Sequence, residues 1–508
     1  MAKSKGTSDR REGRRVRAYI LAIDQGTTGT TARIVDRDGV IRGRGYARIT
    51  QYYPEPGWVE HDPGEIWAQT VQAISQAKHD AGIEDTEIAA IGIANQRETT
   101  LLVDRLTGEP AGRAIVWQCR RTADRCDRLK AQGMAAIIQA RTGLVIDAYF
   151  SATKIQWLLE NLTGIRRRAE KGEILFCNVD AWLMWKLTNG RVHATDFSNA
   201  SRTMLFNINT LDWDDELLRL FRIPRSMLPA VCPSINVFGY TDDGIPIAGV
   251  AGDQQASLFG QACFRPGMTK VTYGTGAFVL MNAGRKPVAA RRGLLTTLAC
   301  SLDGKAEYAL EGSVFIAGAA IQWLQDLGLI REAEESEQLS MSIKDTGGVY
   351  LVPAFVGLGA PHWDMYARGT LVGLTRGSGR AQVVRAAVES IAYQVTDVLD
   401  AMAADSGLRL AEIRVDGGAA TNNFLAQFQA DIAGVEVCRP RMLETTALGA
   451  AYLAGLGIGF WKSGREIEAI REVGQQFTPC MEAAERQALR RGWERALGRA
   501  KGWLTIEG

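Results

Sequence analysis

Ala18-Tyr-Ile-Leu-Ala-Ile-Asp24 is a short apolar run that ends on a carboxylate and passes into Gln25-Gly26-Thr27-Thr28-Gly29-Thr30-Thr31, with apolar residues resuming at Ala32, Ile34 and Val35. Two β-patterned runs around a Gly/Thr-rich turn predict a hairpin whose tip offers hydroxyls and backbone N–H groups. The pattern returns at Thr269-Lys-Val-Thr-Tyr-Gly274-Thr275-Gly276-Ala-Phe-Val-Leu-Met281. A strand-turn-strand unit opening each half predicts two related lobes facing one another across a cleft.

The stretches between these hairpins alternate. Ile88-Ala-Ala-Ile-Gly-Ile-Ala94 reads as a strand and Lys154-Ile-Gln-Trp-Leu-Leu-Glu-Asn161 as a helix. Val384, Val388, Ile391, Val395, Val398 and Met402 recur every three or four residues, marking an amphipathic helix that Gly407 can end in the left-handed conformation. The class is therefore α/β, with helices packed on sheets. At 508 residues the chain exceeds what one core supports, and two domains follow, 18–260 and 261–508.

Composition excludes several classes. With 46% hydrophobic and 23% charged residues, the chain is neither disordered throughout nor fibrous. The net charge of +2 is concentrated in residues 1–17, MAKSKGTSDRREGRRVR, which read as a solvated, disordered leader rather than as a grip on nucleic acid or an anionic membrane. This run lacks the apolar stretch of a secretory signal, and no later segment has the length of a membrane span, so a cytoplasmic protein is expected. The eight cysteines contain no CxxC pair and the four histidines no HExxH, which leaves reduced packing cysteines and no zinc site.

Phosphoryl transfer needs a phosphate cradle, a metal ion and an oriented nucleophile, and candidates for each are present. The Asp24–Gly29 turn, with Thr27 and Thr28, can present N–H groups to phosphate oxygens, and Asp24 at a strand end can hold Mg²⁺ directly or through its waters. Tyr273-Gly-Thr-Gly276 can do the same from the other half. Ordinary hairpin tips are the alternative for either turn alone. Asp416-Gly417-Gly418, followed by Asn422, can let a flat ring approach the backbone, with Asn422 on its edge, or can be a plain strand-to-helix turn. The small residues from Gly318 to Gln322 can likewise let a nucleotide lie close. Asp253, in Gly252-Asp253-Gln254-Gln255, can cap the next helix or accept the proton of an attacking hydroxyl. Arg97 and Glu98, in Asn95-Gln-Arg-Glu-Thr-Thr100, can be a structural pair or can grip neighbouring hydroxyls of a polyol, with Trp117 and Phe278 covering its carbons.

Taken together, Asp24-Gln-Gly-Thr-Thr, Asn95-Gln-Arg-Glu-Thr-Thr, Ile115-Val-Trp117-Gln-Cys-Arg-Arg121, Gly252-Asp-Gln-Gln255, Tyr273-Gly-Thr-Gly276 and Asp416-Gly-Gly resemble the FGGY carbohydrate kinases. Tyr149 through Asn161, and Gly369 through Glu389, are similar to two of that family's longer signatures, and the likeness runs from about Tyr19 to the C-terminal helices. It implies two related actin/Hsp70/ribonuclease H-like lobes around a nucleotide cleft. It further implies ATP and Mg²⁺ as cofactors and direct in-line transfer to glycerol, giving sn-glycerol 3-phosphate. Arg97, Glu98, Trp117, Tyr149, Asp253, Gln254 and Phe278 fall where glycerol-phosphorylating members bind that substrate, with Asp253 on the base. ATP contacts are implied at Thr27, Thr28, Thr275, Gly318, Gln322, Gly418 and Asn422, and a homo-oligomer by the same likeness.

A kinase of another polyol or ketose, and a non-catalytic nucleotide switch of the actin or Hsp70 kind, are the alternatives. The chain departs from the family pattern at Thr31, where relatives carry arginine, and at Ala148, where they carry proline. Only Thr241-Asp-Asp-Gly244 stands where some members carry a basic sugar-bisphosphate loop, and no histidine lies between His193 and His362. Neither sugar-bisphosphate nor phosphohistidine control is expected.

Overall fold

The computed structural model describes residues 17–504; apart from Arg17, the leader lies outside the described residues. A six-stranded sheet runs Ile235–Tyr240, Pro246–Gly252, Ile88–Asn95, Tyr19–Gln25, Gly29–Val35, Ile41–Arg48. A seven-stranded sheet runs Val473–Phe477, Val437–Pro440, Glu412–Asp416, Met268–Tyr273, Ala277–Gly284, Tyr308–Val314, Leu295–Leu298. In each, the first strand pairs antiparallel with its hairpin partner and parallel with the strand on its other side, the next is parallel again, and an antiparallel strand closes that edge. The second sheet thus repeats the first, as the two hairpins predicted, with Leu295–Leu298 added at its far edge.

Both hairpin turns are tight. Asp24 pairs with Thr31 and Gln25 with Thr30, and Gly26 N–H donates to Gly29 O at 2.9 Å. Tyr273 pairs with Ala277, and Gly274 N–H donates to Gly276 O at 2.9 Å. The helix Arg380–Ser406 buries Val384, Val388, Ile391, Val395, Val398 and Met402 completely and ends at Gly407 with φ +67°.

Two features tie the halves together. Helix Thr445–Gly457 is apolar around its circumference, as a helix buried on all sides must be, and it leaves the second half to pack on the first sheet. It comes so close to the strand Ile88–Asn95 that a Cβ on Gly92 would stand 2.0 Å from Ala450 O. The core around Leu144, Phe150, Leu158 and Phe206 also takes in Leu295, Leu298 and Tyr308 from the second sheet. Among the described residues no helix is long and apolar enough to cross a membrane, and no disulfide forms.

Candidate active site

The strands Tyr19–Gln25, Ile88–Asn95 and Pro246–Gly252 lie parallel, with Gln25 and Gly252 both in register with Asn95. Their carboxyl ends therefore open at one sheet edge, where α/β folds bind ligands. That edge delivers Asp24, the Gln96-Arg97-Glu98 segment and Asp253 to one place. Glu98 has φ +61°, an uncommon conformation for a side-chain-bearing residue, and the chain turns there.

Arg97 is the hub. Its Nη1 and Nη2 meet Glu311 Oε2 and Oε1 at 2.6 and 3.1 Å, its Nε lies 3.3 Å from Asp253 Oδ1, and Nη2 reaches Tyr149 Oη at 3.4 Å. Arg202 completes a closed set by donating from Nε to Glu98 at 2.6 Å and from Nη2 to Glu311 at 2.9 Å. Two guanidinium groups and two carboxylates alternate, so the buried charges cancel. Burial alone would raise the Glu311 carboxyl, but Arg202 and Arg97 hold it down to about 2. For Glu98 burial outweighs the pull of Arg202 and Arg97, and its pKa is raised.

Side-chain exposure separates the acidic groups. Arg97 and Glu98 are 2% and 1% exposed, whereas Asp253 is 29% exposed. Burial and the nearby charge of Asp253 push Asp24 up to about 7, against the opposing pull of Arg33. Asp24, a carboxylate near a second one in Asp253, is a residue that could hold a divalent cation, although among the described residues no cluster of three or more metal-ligating side chains forms.

Trp117 and Tyr149 form an edge-on aromatic wall, with ring centroids 5.6 Å apart, and Trp117 Nε1 donates to Thr27 Oγ1 at 2.9 Å. The polyol candidates are thereby joined to the first phosphate turn. Phe278 is half-buried on the second sheet, in register with Thr272 and Ser313, and makes no ring contact with either aromatic.

The second-half candidates also converge. Gly274 O and Thr275 O accept from the N–H groups of Gly318 and Ala319 at 2.9 and 3.0 Å, placing the second phosphate turn on the start of helix Gly318–Asp326. Gly417, at φ +86°, packs so tightly that a Cβ would lie 2.5 Å from Tyr273 O, while Gly418 beside it faces open space. Gln322 is exposed one helical turn from Gly318 and donates to Asp326 at 3.0 Å.

Gly29 is buried, and a Cβ there would lie 2.7 Å from Ala47 O, so close packing also requires a glycine at this position. The Asn422 amide is already engaged: Oδ1 caps the next helix by accepting from Leu425 N–H at 2.9 Å, and Nδ2 donates to Ser336 at 3.2 Å.

Arg202, Glu311 and Lys270 are site residues that sequence reasoning missed. Glu311 in Tyr308-Ala-Leu-Glu-Gly and Lys270 in Met268-Thr-Lys-Val each carried a signal, a charged residue inside a buried strand, where charge survives only when paired. Arg202 carried none.

Residues 19–260 match the FGGY family of carbohydrate kinases, N-terminal domain, and residues 269–458 match its C-terminal domain. The chain belongs to the FGGY family of carbohydrate kinases. This FGGY kinase is 58% identical to glycerol kinase of Caldanaerobacter subterraneus subsp. tengcongensis over 96% of its own length and 99% of that protein's. It resembles the crystal structure of Plasmodium falciparum glycerol kinase with ADP at a TM-score of 0.91 and 36% identity, over 95% of this chain and 98% of that one. Gluconate kinase from Lactobacillus acidophilus, at 22% identity, 95% and 97% coverage and a TM-score of 0.86, shares the fold of this FGGY kinase. The two-lobed architecture of the sugar kinases, related to that of actin and the Hsp70 ATPase, is therefore the one observed.

Proposed function

We propose that this FGGY kinase transfers the γ-phosphoryl group of ATP directly to a terminal hydroxyl of glycerol, giving sn-glycerol 3-phosphate, with Asp253 as the base. The observation that carries the reading is the 3.3 Å contact between Arg97 Nε and Asp253 Oδ1, beside Glu98 and Tyr149, at the more exposed carboxylate of the two that flank Arg97 in the first lobe. The high identity to glycerol kinases over almost the whole chain supports the choice of substrate.

In this reading Arg97 is immobilised by Glu311, so it meets Asp253 and the polyol without reorganising. The second Glu98 oxygen, which has no hydrogen-bond partner among the described residues, accepts from a glycerol hydroxyl, and Trp117, Tyr149 and Phe278 cover the carbons. Asp253 accepts the proton of the attacking hydroxyl. Mg²⁺ held at Asp24 would neutralise phosphate charge. Glycerol and the terminal phosphates then belong to the lobe 18–260, and the adenine nucleotide to 261–508, beside Thr275, Gly318 and Gly418. A cytoplasmic location and a homo-oligomer belong to the same proposal.

The test is ADP formation with and without glycerol, across a panel of polyols and ketoses, with the phosphate position on the product determined by NMR. Glycerol-dependent ADP release with phosphate on a terminal carbon is the expected result. A clear preference for a ketose, or ADP release indifferent to every polyol, would move the assignment to one of its rivals.

A further inference from the structure

Lys270 lies within the strand Met268–Tyr273 and is fully buried. Its Nζ donates to Gln254 Oε1 and, at 2.6 Å, to Thr272 Oγ1. Burial draws its pKa down to about 8, while Asp416 and Asp253 favour the charged form, so the group is still an ammonium at neutral pH.

An ammonium can donate hydrogen bonds but cannot accept them. Its contact with Gln254 therefore decides which end of that amide faces it: the oxygen turns toward Lys270 and the Nε2 hydrogens turn away. Among the described residues Nε2 has no hydrogen-bond partner, and it is not among the buried polar atoms left unsatisfied. Gln254 follows Asp253 at the start of helix Asp253–Gly260, so the free amide donor and the carboxylate acceptor belong to adjacent residues.

We propose that Lys270 is a positioning residue that sets the Gln254 amide as a donor toward the polyol, so that Asp253 and Gln254 read substrate hydroxyls from opposite sides, the proton and the oxygen. This rests on the glycerol pocket proposed above. Without the ammonium the amide can rotate and present its oxygen, leaving two acceptors side by side and a hydroxyl oxygen without a partner.

A double-mutant cycle tests it in the full-length enzyme. Lys270→Met keeps the bulk and removes the donor; glycerol KM rises about tenfold while ATP KM changes less than about twofold. Lys270→Arg, still a donor only, recovers part of the loss. Gln254→Ala raises glycerol KM by a similar factor, and adding Lys270→Met to it changes KM by less than about twofold, because the route of action is already gone. An unchanged glycerol KM in Lys270→Met, or the same tenfold loss in both backgrounds, overturns the role of Lys270 and leaves the pocket standing. An unchanged KM in Gln254→Ala overturns the pocket itself. Where thermal melting shows that Lys270→Met does not fold, Gln254→Glu decides: it keeps an oxygen for the ammonium and has no donor, so a tenfold loss supports the proposal and a wild-type KM overturns it.

Discussion

Arg97, just past the strand Ile88–Asn95 of the first sheet, and Glu311, within the second sheet, meet through two parallel hydrogen bonds of 2.6 and 3.1 Å. A bidentate guanidinium–carboxylate contact fixes orientation as well as separation. It sets Arg97 Nε toward Asp253 and, through Arg202, sets Glu98 as well. The proposed polyol pocket is thus built on a charge supplied by the opposite half.

Glu311→Gln should therefore damage both stability and substrate binding. Removing one charge from a balanced buried set leaves an uncompensated guanidinium, which costs about 3–5 kcal/mol in comparable cases. The expected result is a lower midpoint in thermal melting together with a raised glycerol KM. A normal midpoint and normal KM would show that the two arginines find their places without it.

Asp253→Asn keeps the shape of the site and removes the proton acceptor. A positioned base contributes about 10²–10⁴-fold, so kcat should fall by about that factor. ATP affinity, measured by calorimetry, should change little, because the phosphate turns at Thr27 and Thr275 are untouched. Turnover close to wild type would take the base role away from Asp253.

Asp180 gives a pH prediction. Its carboxyl is buried in the first lobe, and Oδ2 accepts from Thr195 at 2.6 Å. Burial pushes its pKa from 3.8 up to about 7, with Asp196 adding to the rise and the Thr195 hydroxyl opposing it. The folded state then holds a proton that the unfolded chain releases, so this contribution to stability is complete below about pH 4 and is lost as pH rises through about 7. Asp180→Asn removes the dependence. The variant should melt a few degrees above wild type at about pH 8, with the advantage gone at about pH 4. A gap independent of pH would mean that Asp180 is not protonated in the folded protein.

The turn Thr241-Asp-Asp-Gly244 should bind no sugar bisphosphate. It joins the edge strand Ile235–Tyr240 to its neighbour Pro246–Gly252 and carries carboxylates, with Asp242 paired to Arg191 at 2.7 Å and accepting from Asn189 as well. Acidic groups repel phosphates, so fructose 1,6-bisphosphate at millimolar concentration should leave steady-state activity unchanged. Inhibition would locate a bisphosphate site elsewhere on the molecule.

Sequence alone determined the paired hairpins, the strand Ile88–Asn95 and the long helix ending at Gly407, whereas the meeting of Asp24, Arg97, Glu98 and Asp253 was implied only by the family likeness. The hairpins, strand and helix follow from local rules, since alternation, helical spacing and a glycine at positive φ leave marks on neighbouring residues. Tertiary structure alone decided that Glu311 and Arg202 pair with Arg97 and Glu98, that Lys270 holds Gln254, that Gly29 packs against Ala47 and that Asn422 caps the next helix. Arg97 and Glu311 stand 214 positions apart, and no local pattern records which charges a fold will bring together. The same limit hid the place of helix Thr445–Gly457, because an apolar circumference requires burial but does not say against which sheet. A buried charge is stable only in the company it finds after folding, so its partner is a property of the assembled molecule.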